Sequence, residues 1–255
     1  MHRLRVEYFF DLTCPYSWIG FRSLLSKQRL MSWKDVEIEL TPVRRGKILA
    51  VAGNPSLLMF PPLKLEYIFS ELKILGKMHG VSISKPKDLE SICSHKSVRP
   101  LLFLLVVREK FPSLFERVAE IMWSRIWSYD LPMFRTPFFF KVCREVGLQF
   151  RETDELISGI ELRSNVNKLE SSTGRAISFG AFDTPWILVT DDTGRSLSVH
   201  NIFHLHKIYS IIENRELFDE WKVDLEERNR VTTLFDALKK TGMKSSRWEN
   251  LNQNT

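Results

Sequence analysis

Cys14-Pro15-Tyr16-Ser17-Trp18 is the stretch of this chain whose residue types most plainly carry chemistry. It follows a β-rich apolar run, Val6–Phe10, and leads into Ile19–Leu30, which reads as a helix. A cysteine at such a strand-to-helix turn sits beside unpaired N–H groups and the positive end of the helix dipole. That setting favours a thiolate, either the cysteine's own or a bound ligand's. Pro15 suits an early helical position because it has no N–H to lose there. Ser17 stands where the second cysteine of a C-x-x-C pair would be, so thiol chemistry is expected without an intramolecular disulfide. The competing reading makes Cys14 a small, half-buried hydrophobe.

The flanking elements must position this turn. Val36–Pro42 alternates as a half-buried strand, giving β-α-β within 42 residues and predicting a parallel pair with a right-handed crossover. Gly46–Pro62 reads as a loop, with Gly53-Asn54-Pro55 and Pro61-Pro62 as its breakers. Helical spacing then dominates: Leu65–Leu75, Val98–Lys110, Leu114–Trp127 and Pro137–Val146, with a weaker helix over Glu155–Leu169. Breaks are expected at Gly80, Pro112, Pro132 and Gly147. Strands return at Trp186–Thr190 and Ser196–Val199 around the turn Asp191-Asp192-Thr193-Gly194, and Asn201 is a fair cap for a helix reaching about Ile212.

The order predicts an α/β chain, a thioredoxin-like fold interrupted by an all-helical insert. Residues 1–62 plus 172–222 would form the thioredoxin-like part, 63–171 the insert and 223–255 a peripheral C-terminal extension. In this architecture a strand-opening proline lies near the first helix N-terminus; Pro185 is the candidate, with Thr184-Pro185 in the cis form.

Composition narrows the alternatives. At 255 residues, 44% apolar and 27% charged, the chain has ample material for a core. Three cysteines are too few for a disulfide scaffold and suggest a reducing compartment. The net charge of +6 is scattered, and no RNA-recognition, zinc-finger or basic-zipper signature accompanies it, so no nucleic-acid partner is expected. No apolar run reaches the ~20 residues of a membrane span; Leu101–Val107 reads as a buried helix. Met1–Arg5 is too short for a leader, and Gln253-Asn254-Thr255 is not a peroxisomal address. His200 and His204 lack the Glu and third ligand of a metal motif, so no metal is expected.

Four ordered motifs carry a resemblance: D-L-T-C-P-Y-S-W-I-G-F, then G-N-P with P-P-L-K, then E-I-M-W-S-R-I-W-S, then G-A-F-D-T-P-W. Together, over residues 5 to 222, they resemble the kappa-class glutathione transferases. These are related to the 2-hydroxychromene-2-carboxylate isomerases and the Dsb-type oxidoreductases. The resemblance implies a homodimer that uses glutathione as cosubstrate to conjugate small hydrophobic electrophiles or reduce peroxides in detoxification. It implies a mitochondrial matrix or peroxisomal location, although no targeting signal is visible and a cytoplasmic one stays open.

Residue by residue, the resemblance puts Cys14 where the family has a serine that supports the glutathione thiolate. Tyr16 and Ser17 match the pattern. Asn54, Lys64, Thr184 and Pro185 fall at glutathione-contacting positions, with the backbone at Thr184 pairing to the cysteinyl part of the tripeptide like an added strand. His200-Asn201 replaces a Ser-Asp pair that holds the γ-glutamyl end. Replacing that carboxylate by an amide removes a charge-assisted bond worth about 1–3 kcal/mol.

Two rival functions fit the same residues. One is a monothiol, glutathione-dependent disulfide oxidoreductase with Cys14 as nucleophile. The other is a non-catalytic glutathione-binding protein. Cys93 and Cys143 read as structural, Trp123, Trp127 and Phe138–Phe140 mainly as core, with some open to an apolar site for the second substrate or a dimer interface, and Arg44-Arg45 as a solvated pair by default, with contact to a glutathione carboxylate the weaker alternative.

Overall fold

The computed structural model describes residues 3–93, 97–131 and 133–220; the expected extension at 223–255 lies outside them. The chain divides into two compact units, Met1–Ile208 and Tyr209–Thr255.

In the first unit, β1 (Leu4–Phe10) and β2 (Val36–Pro42) pair in parallel across α1 (Pro15–Met31), as the short β-α-β spacing predicts. β3 (Trp186–Thr190) and β4 (Ser196–His200) complete a four-stranded sheet in the order β2-β1-β3-β4. β3 runs antiparallel to both of its neighbours. β1 is central, and all its residues except Arg5 are buried, because helices cover both of its faces. Phe9 joins Val43, Ile48, Ala176, Ala181, Trp186 and Leu188 on one side. On the other, Phe10 lies 4.9 Å from the Trp123 ring, which lies 5.0 Å from Phe21.

Between β2 and β3 the chain is helical, which gives the expected thioredoxin-like fold with a helical insert. α2 (Arg45–Ala52) precedes α3 (Pro62–Met78), α4 (Leu89–Cys93), α5 (Val98–Lys110) and α6 (Phe115–Trp127). α7 (Thr136–Glu145), α8 (Phe150–Gly159) and α9 (Arg163–Ser178) follow. α10 (Leu205–Glu213) closes the first unit and enters the second, where α11 (Leu217–Glu220) lies. Leu101–Val107 is buried throughout, and no helix among the described residues is long and apolar enough to cross a membrane.

Two expectations change. The predicted loop Gly46–Pro62 contains α2 and a 3-10 turn at Leu57–Met59. α2 has no acidic residue in its own first turn; its Arg45 N–H instead donates to the Asp11 carboxylate at 2.8 Å, a cap supplied from 34 residues away. Gly53, at φ 69°, ends it in the left-handed conformation.

The weak helix over Glu155–Leu169 is two helices. Gly159 ends α8 where an added Cβ would stand 3.1 Å from Val106 Cγ1, and Asn165 Nδ2 donates to the Gly159 carbonyl at 2.8 Å. α9 therefore runs through the boundary expected at 171/172.

α1 approaches β1 so closely that Gly20 has no room for a side chain. Tyr8 Oη donates to the Ser17 carbonyl at 2.8 Å, and a Cβ on Gly20 would collide with that phenol oxygen and lie 2.9 Å from Ile202 Cγ2. Gly20→Ala should destabilise the fold by about 1–3 kcal/mol in urea denaturation. Combined with Tyr8→Phe, the loss should fall short of the sum of the single changes; strict additivity would show that the phenol oxygen is not the obstacle.

Candidate active site

The turn that carries Cys14 is built on one carboxylate. Asp11, fully buried, accepts from the Thr13 N–H and Thr13 Oγ1, both at 2.9 Å, from the Arg45 N–H at 2.8 Å and from Ser97 Oγ at 3.2 Å. Its carbonyl takes the Cys14 N–H at 3.1 Å. Burial pushes the Asp11 pKa up, opposed by the Thr13 and Arg45 N–H groups, so its fourfold hydrogen bonding is what makes this burial tolerable. Trp127 Nε1 steadies the same turn from α6, donating to the Leu12 carbonyl at 2.9 Å.

Cys14 is the N-cap of α1, in extended conformation, with Pro15 at the first helical position. Its sulfur is buried and donates to the Thr184 carbonyl at 3.0 Å. Burial raises its pKa. The Arg45 guanidinium pulls the other way, Asp183 adds to the rise, and the Ser17 and Thr184 hydroxyls favour the thiolate without prevailing. Cys14 is therefore a neutral thiol near neutral pH. Of the two thiolates the sequence allows, the cysteine's own is the disfavoured one, because desolvation outweighs the helix N-terminus. A ligand's sulfur at the same place is a separate matter. Ser17 Oγ and Thr184 Oγ1 are both buried and face the Cys14 sulfur, and among the described residues neither has any other hydrogen-bond partner. Two such donors beside a sulfur position fit an incoming thiolate.

The Thr184-Pro185 bond is cis, as the architecture predicts. Around it the structure gathers most of the expected contact residues. Asn54 Nδ2 donates to the Phe182 carbonyl at 2.9 Å. The His200 ring lies 4.3 Å from Phe182, at the end of β4 opposite Trp186. The Asn201 N–H donates to the Pro185 carbonyl at 3.0 Å, and Asn201 Oδ1 caps the following turn through the Ile202 N–H. Asn201 adopts φ 66°, ψ 166°, a region that ordinarily needs glycine, so these two bonds hold a strained residue in place.

Tyr16 turns from this group toward the insert. Its hydroxyl donates to Glu71 Oε2 at 2.7 Å, its ring meets Phe203, and burial followed by Glu71 raises its pKa. No hydrogen bond among the described residues ties Lys64 to the cluster; its ammonium lies 3.8 Å from the centre of the Phe60 ring. No group of three or more His, Cys, Asp or Glu among the described residues is placed to share a metal ion.

Arg44 and Arg45 are not a solvated pair. Arg44 pairs with Glu170 of α9, while Arg45 is buried and forked onto Asp183, with Nε to Oδ1 at 2.6 Å and Nη2 to Oδ2 at 3.0 Å. Sequence reasoning missed Asp11, Arg45, Asp183 and Glu71. Asp11 and Asp183 lay inside the recognised motifs, but only spatial proximity assigns them a partner. Cys93 is half-buried, with its pKa pushed up to about 11 by burial; Cys143 is buried and raised for the same reason.

A family model described as a DSBA-like thioredoxin domain matches residues 5–210. Glutathione S-transferase kappa 1 of Rattus norvegicus is 31% identical over 181 residues, 71% of this chain and 78% of that protein. The Homo sapiens glutathione S-transferase kappa 1 is 30% identical over 183 residues, again 71% and 78%. Among solved structures, 2-hydroxychromene-2-carboxylate isomerase superposes with a TM-score of 0.64 at 14% identity, covering 84% of this chain and 98% of that one, a likeness of fold.

All three thiols titrate above the ordinary cysteine range, so the folded chain keeps protons that the unfolded chain releases. Their contribution to stability is present below the unfolded pKa, about 8.5, and is lost as pH rises through the folded values, toward about 11 for Cys93. Urea denaturation should show stability falling across that alkaline window. Cys93→Ser should flatten the slope; an unchanged slope would remove Cys93 as its source.

Proposed function

Because the chain belongs to the kappa-class glutathione S-transferases, within the DsbA-like thioredoxin-domain family, we propose that it conjugates glutathione to small hydrophobic electrophiles at the N-terminus of α1. The observation that carries this is the Cys14 thiol, held neutral against the carbonyl that precedes a cis-proline, with two hydroxyls facing it that have no other partner among the described residues.

On this reading the cysteinyl part of glutathione lies along Thr184 as an added strand, its N–H taking the Thr184 carbonyl. That frees the Cys14 S–H to donate to the glutathione sulfur. Cys14, Ser17 and the first N–H groups of α1 then steady a glutathione thiolate, which is the nucleophile. With a chloronitrobenzene, its sulfur bonds to the ring carbon and chloride leaves. Asn54 and Lys64 contact the tripeptide, and the γ-glutamyl end lies at His200-Asn201 without a carboxylate partner. Peroxide reduction by the same thiolate, a homodimeric assembly and an organellar location follow the family and belong to this proposal.

Conjugation by the wild type, Cys14→Ser and Cys14→Ala tests it. Serine, also a donor, should retain turnover, and alanine should lose roughly 10- to 100-fold, the worth of one hydrogen bond to a charged group. Disulfide exchange that requires Cys14, without conjugation, would replace this reading by the oxidoreductase one.

A further inference from the structure

Arg45 is braced on both sides of the Cys14 turn. Its main-chain N–H bonds Asp11, whose carbonyl holds the Cys14 N–H. Its guanidinium forks onto Asp183, whose Oδ1 also accepts the Thr184 N–H at 2.7 Å, and Thr184 holds the Cys14 sulfur. The Arg45 side chain is only 10% exposed and that of Asp183 25%, so little water screens either charge. Such a pair is costly to bury for stability alone, since an apolar pair of similar volume would serve as well or better.

We infer that the Arg45–Asp183 pair tunes the charge felt by a sulfur at the N-terminus of α1, with Arg45 steadying negative charge there and Asp183 opposing it. Both charges are tied to the turn within two residues' hydrogen bonds of the sulfur, through Thr184 on one side and Asp11 on the other, and the Cys14 pKa responds in the same sense, lowered by Arg45 and raised by Asp183 against the larger upward push of burial. Arg45 is itself held charged against its burial, by Asp183 first and by Asp11. Among the described residues, Asp11 on the same turn, Tyr16 on α1 and Cys93 on α4 are further titratable groups close to the sulfur. Both residues of the pair are positioning residues. The placement of the pair around Cys14 stands on the hydrogen bonds through Asp11 and Thr184; its extension to a glutathione sulfur rests on the proposed conjugation.

A brace and a tuner differ in sign. As a mere brace, either residue would lower stability when replaced and leave the sulfur unmoved. As a tuner, the two replacements move the sulfur in opposite directions. The test is thiolate absorbance against pH in a chain carrying Cys93→Ser and Cys143→Ala, so that only Cys14 reports. Arg45→Met should raise the Cys14 pKa by about one unit, and Arg45→Lys, which keeps the charge but not the fork, should stay near the parent. Asp183→Asn, which keeps an acceptor for Arg45 and Thr184, should lower it by a similar amount. If Arg45→Met does not fold, Asp183→Asn decides alone: a downward shift supports the inference, and an upward shift or none overturns it. Shifts of the same sign in both variants, or loss of melting temperature without a shift, also overturn it. Repeating the titration with glutathione in a Cys14→Ser background separates the two readings. Opposed shifts on Cys14 with no glutathione thiolate would sink the conjugation reading and leave the tuner standing.

Discussion

The Asp11 carboxylate is where the site begins physically. A carboxyl group buried to this degree is costly unless its lone pairs are filled, and four donors from three segments fill them. Each donor fixes something else. Thr13 shapes the turn into α1, Arg45 starts α2, and Ser97 brings in the N-terminal end of α5. Two helices and the active turn are thus registered on one side chain. Removing it would leave the Thr13 and Arg45 N–H groups without partners, not just one bond short.

The same turn explains why a cysteine here is not reactive by default. The helix N-terminus and Arg45 both favour negative charge, yet the sulfur is sealed from water and donates to a carbonyl. Burial wins, and the thiol stays protonated. A buried neutral donor beside two hydroxyls with no other partner among the described residues suits the stabilisation of another molecule's sulfur better than attack by its own.

The insert reaches this site through specific contacts. Trp127 of α6 holds the Leu12 carbonyl, Glu71 of α3 holds the Tyr16 hydroxyl, and Ser97 meets Asp11. α9 closes the other side: Thr173 Oγ1 accepts the Arg44 N–H at 3.0 Å, and Glu170 pairs with Arg44 and Lys47. α2 is therefore clamped between α9 and the Cys14 turn, and the buried guanidinium it carries stays beside the sulfur.

The sequence by itself determined the elements whose signal is local. Period-two alternation marked β2, the short span between β1 and β2 demanded a parallel crossover, and Pro15 announced the start of α1. The turn around Cys14 was legible because turn chemistry is written in adjacent residues, and the cis Thr184-Pro185 bond because the order of elements places a strand-opening proline near the first helix. Tertiary structure decided what depends on distant partners. α2 was read as a loop because its cap is an aspartate 34 residues earlier, and Arg44-Arg45 looked solvated because their acids lie on α9 and before β3. The charge state of Cys14 belongs to the same class: sequence supplies the helix N-terminus, but only packing reveals how much water is excluded, and desolvation is the larger effect.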